Sequence, residues 1–198
     1  MVEVVWSTDP TADPGELLRQ LAADVLAIST ADVRLGRQCP RCGSCEHGRP
    51  VMVEPRGTGL HLSLARTDGL VAVAASMTGW VGVDVERDSA TDFDGFAGVA
   101  LHPAEQDGTM HDRALIWTRK EAVLKALGRG IGDDLTRLDV GSPDEPAHGL
   151  SVDGGVWLDD LEVPSGYAAA VAVASERPAP VTVRRVGAAA PDDAARRR

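Results

Sequence analysis

Gly82-Val83-Asp84-Val85-Glu86 and, further along, Trp117-Thr118-Arg119-Lys120-Glu121-Ala122-Val123-Leu124-Lys125-Ala126 are the stretches on which the reading of this chain turns. The first alternates apolar and polar residues with the period of a strand, and predicts one over residues 81–86. Val81, Val83 and Val85 then face one side, while Asp84 and Glu86 together face the other. Two acids on one face repel, so the pair belongs either at a solvated edge or around a cation, and hard carboxylate oxygens of this kind suit magnesium. The second stretch belongs to a helix predicted over 112–127. Its apolar face is Leu115, Ile116, Ala122, Val123, Ala126 and Leu127, its other face is charged, and Gly128 stops it. Glu121 and Lys125, four apart and so about 40° apart around the axis, share a side away from the apolar stripe. Alone they read as a surface ion pair. Taken with Asp84 and Glu86 they make three acids for a metal and a lysine for the phosphate it carries, the side chains of phosphoryl transfer.

With 198 residues the chain has room for one good core or two smaller halves. Its 43% apolar and 25% charged residues are those of a folded globular protein, which excludes a largely disordered chain. No apolar run is long enough to span a bilayer and nothing reads as a secretory signal, so the cytoplasm is the expected compartment, with no membrane partner. A formal charge of -10 argues against nonspecific nucleic-acid binding, which needs clustered Lys and Arg. The chain's only two lysines, Lys120 and Lys125, flank Glu121 within a turn and a half of helix. A bias toward Arg accounts for their scarcity but not for their placement.

Before these motifs, Leu17, Leu18, Leu21, Val25 and Ile28 predict an amphipathic helix over 16–28, started by Pro14-Gly15. Residues 37–55, dense in Cys, Pro, Gly and Arg, read as a loop. Residues 61–64 and 69–76 read as paired strands joined by the turn Thr67-Asp68-Gly69. The run G-L-V-A-V-A-A-S at 69–76 is echoed by G-Y-A-A-A-V-A-V-A-S at 166–175. A helix followed by paired strands thus occurs twice. This predicts an α/β chain of two pseudo-repeated halves, 1–80 and 81–186, with a ligand cleft between them and a frayed tail over 187–198.

The two opening stretches, in that order and spacing, closely resemble the signature motifs of the surfactin-type 4'-phosphopantetheinyl transferases. His47-Gly48-Arg49-Pro50 is similar to the family's G-K-P element, and Gly166-Tyr167 precedes the final paired strand as it does there. The resemblance covers most of residues 45–175. It implies an enzyme that moves the phosphopantetheine arm of coenzyme A onto a serine of an apo carrier protein, acyl, polyketide or peptidyl, releasing 3',5'-adenosine diphosphate. It implies magnesium on Asp84, Glu86 and Glu121, with Lys125 neutralising phosphate charge and Lys120 assisting. Glu105 stands where the family places a base for the attacking serine; as a first-turn acid after Pro103 it equally suits a helix dipole. In this family each half supplies one wall of the cleft, so a monomer suffices.

The chain also departs from the pattern. The family's S-H pair is here Ser63-Leu64, and leucine offers phosphate no polar group. Arg66, if not simply a turn residue, and Arg49 are the candidates for the nucleotide end, with Ser63 retained. Every cysteine lies in Cys39-x2-Cys42-x2-Cys45-x-His47, a spacing that admits a structural zinc ion or a set of free thiols in a loop. Two other readings stay open: a magnesium-dependent enzyme acting on another phosphoanhydride, and a zinc-knuckle interaction module whose acids are merely solvated.

Overall fold

The computed structural model describes residues 1–129, 133–147, 155–175 and 178–187. In chain order the elements are β1 (Val2–Ser7), α1 (Pro14–Leu26), β2 (Arg34–Gln38), β3 (Arg49–Glu54), β4 (His61–Thr67), β5 (Leu70–Ser76), β6 (Val81–Arg87), α2 (Phe96–Ala100), α3 (Met110–Leu127), β7 (Val156–Asp160), β8 (Tyr167–Ala174) and β9 (Val181–Val186). Together they form a mixed α/β fold, as the sequence pattern predicted.

Strands β5 and β8 are apolar at nearly every position because both of their faces are covered. Leu70, Ala72 and Ala74 of β5 face Val81, Val83 and Val85 of β6 and Ala169, Val171 and Val173 of β8 across a shared inner core, which Val2 and Val4 of β1 complete. The alternate residues point outward. Val73 and Ala75 meet Leu18, Leu21 and Ala22 of α1, and Ala170 and Ala172 meet Ile116, Ala122, Val123 and Ala126 of α3. The layers therefore run helix, sheet, sheet, helix. The first sheet has the order β4-β5-β1-β9 and the second β6-β8-β7, while β2 and β3 make a separate ribbon. Along the seam the sheets touch through β4 and β6, where Val83 N donates to the buried Ser63 Oγ at 3.0 Å.

Several elements differ from expectation. Residues 37–55 are no plain loop: their ends form the β2–β3 ribbon, Arg37 opposite Pro50. Its strands are half exposed, so they lack the apolar alternation that marks a strand in sequence. Strand β9 falls within 81–186 yet pairs in parallel with β1 in the first sheet. Residues 188–198 of the expected tail lie outside the described residues. Helix α3 begins at a capping box, with Thr109 Oγ1 accepting from Asp112 N and the Asp112 carboxylate accepting from Thr109 N, and ends at Gly128 in the left-handed region.

The charged face of α3 is largely buried, with Arg119 and Lys120 at 1% and 0% exposure. Each is matched to acceptors. Arg119 forks onto Asp160 at 2.8 and 2.6 Å and donates to the carbonyls of Ser142 and Glu145.

Helix α3 reaches its position because β6 carries no side chain at Gly82. A Cβ there would strike Ala122 O and lie 2.6 Å from Ala126 N and 2.8 Å from Lys125 Cβ. The Gly82→Ala variant is expected to lose about 1 to 3 kcal/mol from this overpacking. Urea denaturation monitored by circular dichroism measures the loss.

Candidate active site

Asp84 follows Gly82 on the same face of β6, and α3 crosses above it. Lys125 Nζ donates to Asp84 Oδ1 at 2.6 Å and to Val83 O at 3.1 Å. Asp84 is 8% exposed. Burial pushes its carboxyl up to about 6; Lys125 opposes the shift, and the charges of Glu121 and Glu86 add to it. Burial raises Glu121 as well, again against Lys125. Glu86 Oε1 accepts from Thr67 Oγ1 at 2.6 Å and from Arg87 N at 2.9 Å.

Asp84, Glu86 and Glu121 thus share one electrostatic neighbourhood. Among the described residues, however, the trio whose donor atoms all lie within 4.8 Å of one another is Cys39, Cys42 and His47, and the three acids stand farther apart than that. In donor chemistry they still fit a hard divalent cation. They are three carboxylates, and one of them, Asp84, is held back from ionising chiefly by burial and further by the charges of the other two, a cost that a bound cation would offset.

Lys125 also lines a cavity of about 820 Å³, a volume within the usual range for cofactor sites. The cavity draws walls from α1, the β2–β3 ribbon, β4 and the end of α3. Arg37, Arg41, Arg49 and Arg129 join Lys125 in lining it, and none of its described lining residues is acidic. In a chain of net charge -10, this concentration of cations gives the cavity a locally positive field, offset in part by Asp133, which lies 3.7 Å from Arg41 and 3.9 Å from Arg129. Arg49 lies 3.8 Å from the Trp80 ring, which in turn packs on His61 at 4.2 Å. Burial lowers both Arg49 and His61, and Arg49 Nη1 is buried with no hydrogen-bond partner. An unpartnered guanidinium nitrogen beside such a cavity is a donor in want of an acceptor.

The remaining expected residues sort differently. Leu64 lines the cavity where the resemblance led one to expect histidine. Ser63 also borders it, but its hydroxyl holds the β4–β6 seam. Arg66 is exposed and is not among the lining residues. Glu105 and Lys120 are turned inward as a buried ion pair, 2.6 Å apart and 1% and 0% exposed. Glu105 also accepts from His102 N and Val140 N, and Lys120 donates to Ala100 O and Leu135 O. Neither has an opening to a nucleotide or a carrier serine here. Cys39, Cys42 and His47 converge while Cys45 stays apart, and backbone hydrogen bonds from Cys42 and Arg41 lower the Cys39 thiol to about 7. Arg37, Arg41, Arg129 and Trp80 went unread in the sequence. They share no motif, and only the fold gathers them.

A family model described as the 4'-phosphopantetheinyl transferase superfamily matches residues 80–172, just under half of the chain. The match indicates a 4'-phosphopantetheinyl transferase. The matched span runs from Trp80 through β6 and α3 into β8, so it includes the acids and Lys125. Coenzyme A is the substrate of this superfamily, a divalent metal typically accompanies it, and carrier proteins are its partners in general. No curated protein matches the chain. None of the described helices is long and apolar enough to cross a membrane.

Asp84, with its proton affinity raised in the fold, stabilises the metal-free protein when neutral. That contribution is complete below the ordinary carboxylate value of 3.8 and is lost as pH rises through about 6. The Asp84→Asn variant, neutral throughout, is expected to exceed the metal-free wild type by up to about 3 kcal/mol above that window and to match it near pH 4. Urea titrations across the pH range give the comparison. Glu105→Ala strands the Lys120 ammonium in the interior and is expected to cost about 3 to 5 kcal/mol, whereas Glu105→Gln keeps its acceptor and costs less. Denaturation midpoints of the two variants separate this anchoring role from a purely chemical one.

Proposed function

We propose that this protein is a surfactin-type member of the superfamily and transfers the 4'-phosphopantetheine arm of coenzyme A to a serine of an apo carrier protein, acting as a cytoplasmic monomer. The observation that carries the reading is Lys125, which bonds Asp84 at 2.6 Å and also lines the basic cavity. One lysine therefore joins a carboxylate cluster suited to a metal with a volume suited to a phosphate-rich ligand. Support for the finer family comes from the pairing of G-V-D-V-E with W-T-R-K-E-A-V-L-K and from His47-Gly48-Arg49-Pro50.

In this reading Asp84, Glu86 and Glu121 hold magnesium, which supplies positive charge to the pyrophosphate oxygens when bound. Arg49, with its unpartnered nitrogen, and Arg37, Arg41 and Arg129 around it receive the nucleotide phosphates. The carrier serine oxygen attacks the β-phosphorus, the bond from that phosphorus to the bridging oxygen breaks, and 3',5'-adenosine diphosphate leaves with the electron pair. Lys125 stabilises the charge that gathers on the phosphoryl oxygens. The serine proton needs an acceptor near Lys125. The enclosed Glu105 is not that acceptor, and Glu121 is held by the metal in this reading, so a solvent molecule takes the proton. Lys120 and Glu105 then serve as positioning residues for α3.

The reading that the chain is only a zinc-knuckle binding module leaves the Lys125–Asp84 pair and the basic cavity without a purpose. Incubating an apo carrier protein with coenzyme A and magnesium is expected to add the mass of the phosphopantetheine arm, and chelation is expected to stop the addition. Glu121→Gln is expected to fold normally and to lose transfer by a factor on the order of 10² or more. Wild-type turnover by this variant removes Glu121 from the mechanism.

A further inference from the structure

The loop that joins β2 to β3 has no core of its own, since none of residues 39–48 is buried. It is nevertheless tightly folded. Cys39 N donates to Ser44 O at 2.8 Å and Gly43 N to Cys39 O at 2.9 Å, with Gly43 at a φ of 74°. Gly48, at a φ of 102°, lies so close to the backbone of Gln38 and Cys39 that a Cβ has no room. These two constraints fold the loop back on itself. Cys39, Cys42 and His47 then converge, with Cys42 Sγ 3.4 Å from His47 Nε2. Tetrahedral zinc, with Zn–S of about 2.3 Å and Zn–N of about 2.0 Å, needs a sulfur-to-nitrogen edge of roughly 3.5 Å. The loop thus offers soft thiolate and imidazole donors near the spacing of that ion.

We propose that Cys39, Cys42 and His47 hold one zinc ion, with solvent in the fourth position, and that this ion fixes one wall of the basic cavity. Cys39, Cys45 and His47 themselves border the cavity, and Arg41 and Arg49, which lie within and directly after the loop, project their charges from it. Binding displaces the protons of the two thiols, and the two thiolates balance the ion's charge; no electron moves. An exposed segment without buried apolar residues gains from a metal the order that packing cannot supply. The ligands are separate from Asp84, Glu86 and Glu121, so the site stands whether or not the transfer reaction does.

Full-length protein purified without a metal-binding tag is expected to carry one zinc per chain by elemental analysis. Cys39→Ser, Cys42→Ser and His47→Ala should each lose it, and Cys45→Ser should keep it. The cobalt-substituted wild type should show a thiolate-to-cobalt charge-transfer band that Cys42→Ser lacks. Zinc-stripped wild type, kept reduced, should bind inorganic pyrophosphate several-fold more weakly by calorimetry and recover on adding zinc; this arm depends on no variant folding. Absence of zinc, a Cys39–Cys42 disulfide in its place, zinc retained in Cys42→Ser, or zinc lost in Cys45→Ser each overturns the proposed ligand set. Equal pyrophosphate affinity with and without the metal overturns the role in the cavity wall. Failure of carrier modification with zinc still bound would count against the transferase reading alone.

Discussion

The contact between the backbone of α3 and the bare face of β6 at Gly82 sets the geometry on which the rest depends. Helices usually stand off a sheet by the thickness of their side chains. Here the missing Cβ lets Ala122, Lys125 and Ala126 come down onto the strand itself. Two residues along β6, Asp84 then lies directly beneath Lys125. One helical turn before Lys125, Glu121 looks onto the same carboxylate and is felt by it. A side chain at position 82 would lift the whole array, because all of these groups are referenced to one helix-to-strand clearance.

So close an approach leaves α3 with little solvated surface, and its charges have to be met inside the protein. Arg119 takes Asp160 and carbonyls of the segment after α3, and Lys120 takes Glu105 and carbonyls at Ala100 and Leu135. Such pairs add little net stability over an apolar core, but an unpaired member is costly. They act as locating pins. The turns on either side of α3 are tied to it by partners that cannot be exchanged without leaving a buried charge.

The reading of Gly82 through Glu86 as a strand with its acids on one face, and of residues 112–127 as a helix, matched the structure because both rest on short periodicities. The same holds for the turn at Gly69 and the helix stop at Gly128. What could not be read depends on distant partners. The β2–β3 ribbon shows no clear alternation because its residues are only partly covered, and β9 gains its identity from β1 at the other end of the described chain. The family resemblance implies chemical roles for Glu105 and Lys120, and nothing local in the sequence shows that the two are buried against each other. Their mutual satisfaction is a property of the packed α3, and the cavity arginines are likewise neighbours only after folding.

Strand β1 lies between β5 and β9, so the first sheet is completed by residues drawn from beyond the second. A chain emerging from a ribosome would have to hold that central strand with one flank unpaired until nearly everything described here had been made. Assembly is therefore expected to be late and all-or-none, with the N-terminal layers unable to mature as an autonomous unit. The topology makes the two sheets share one folding fate, because β1 keeps an open hydrogen-bonding edge until β9 arrives to cover it.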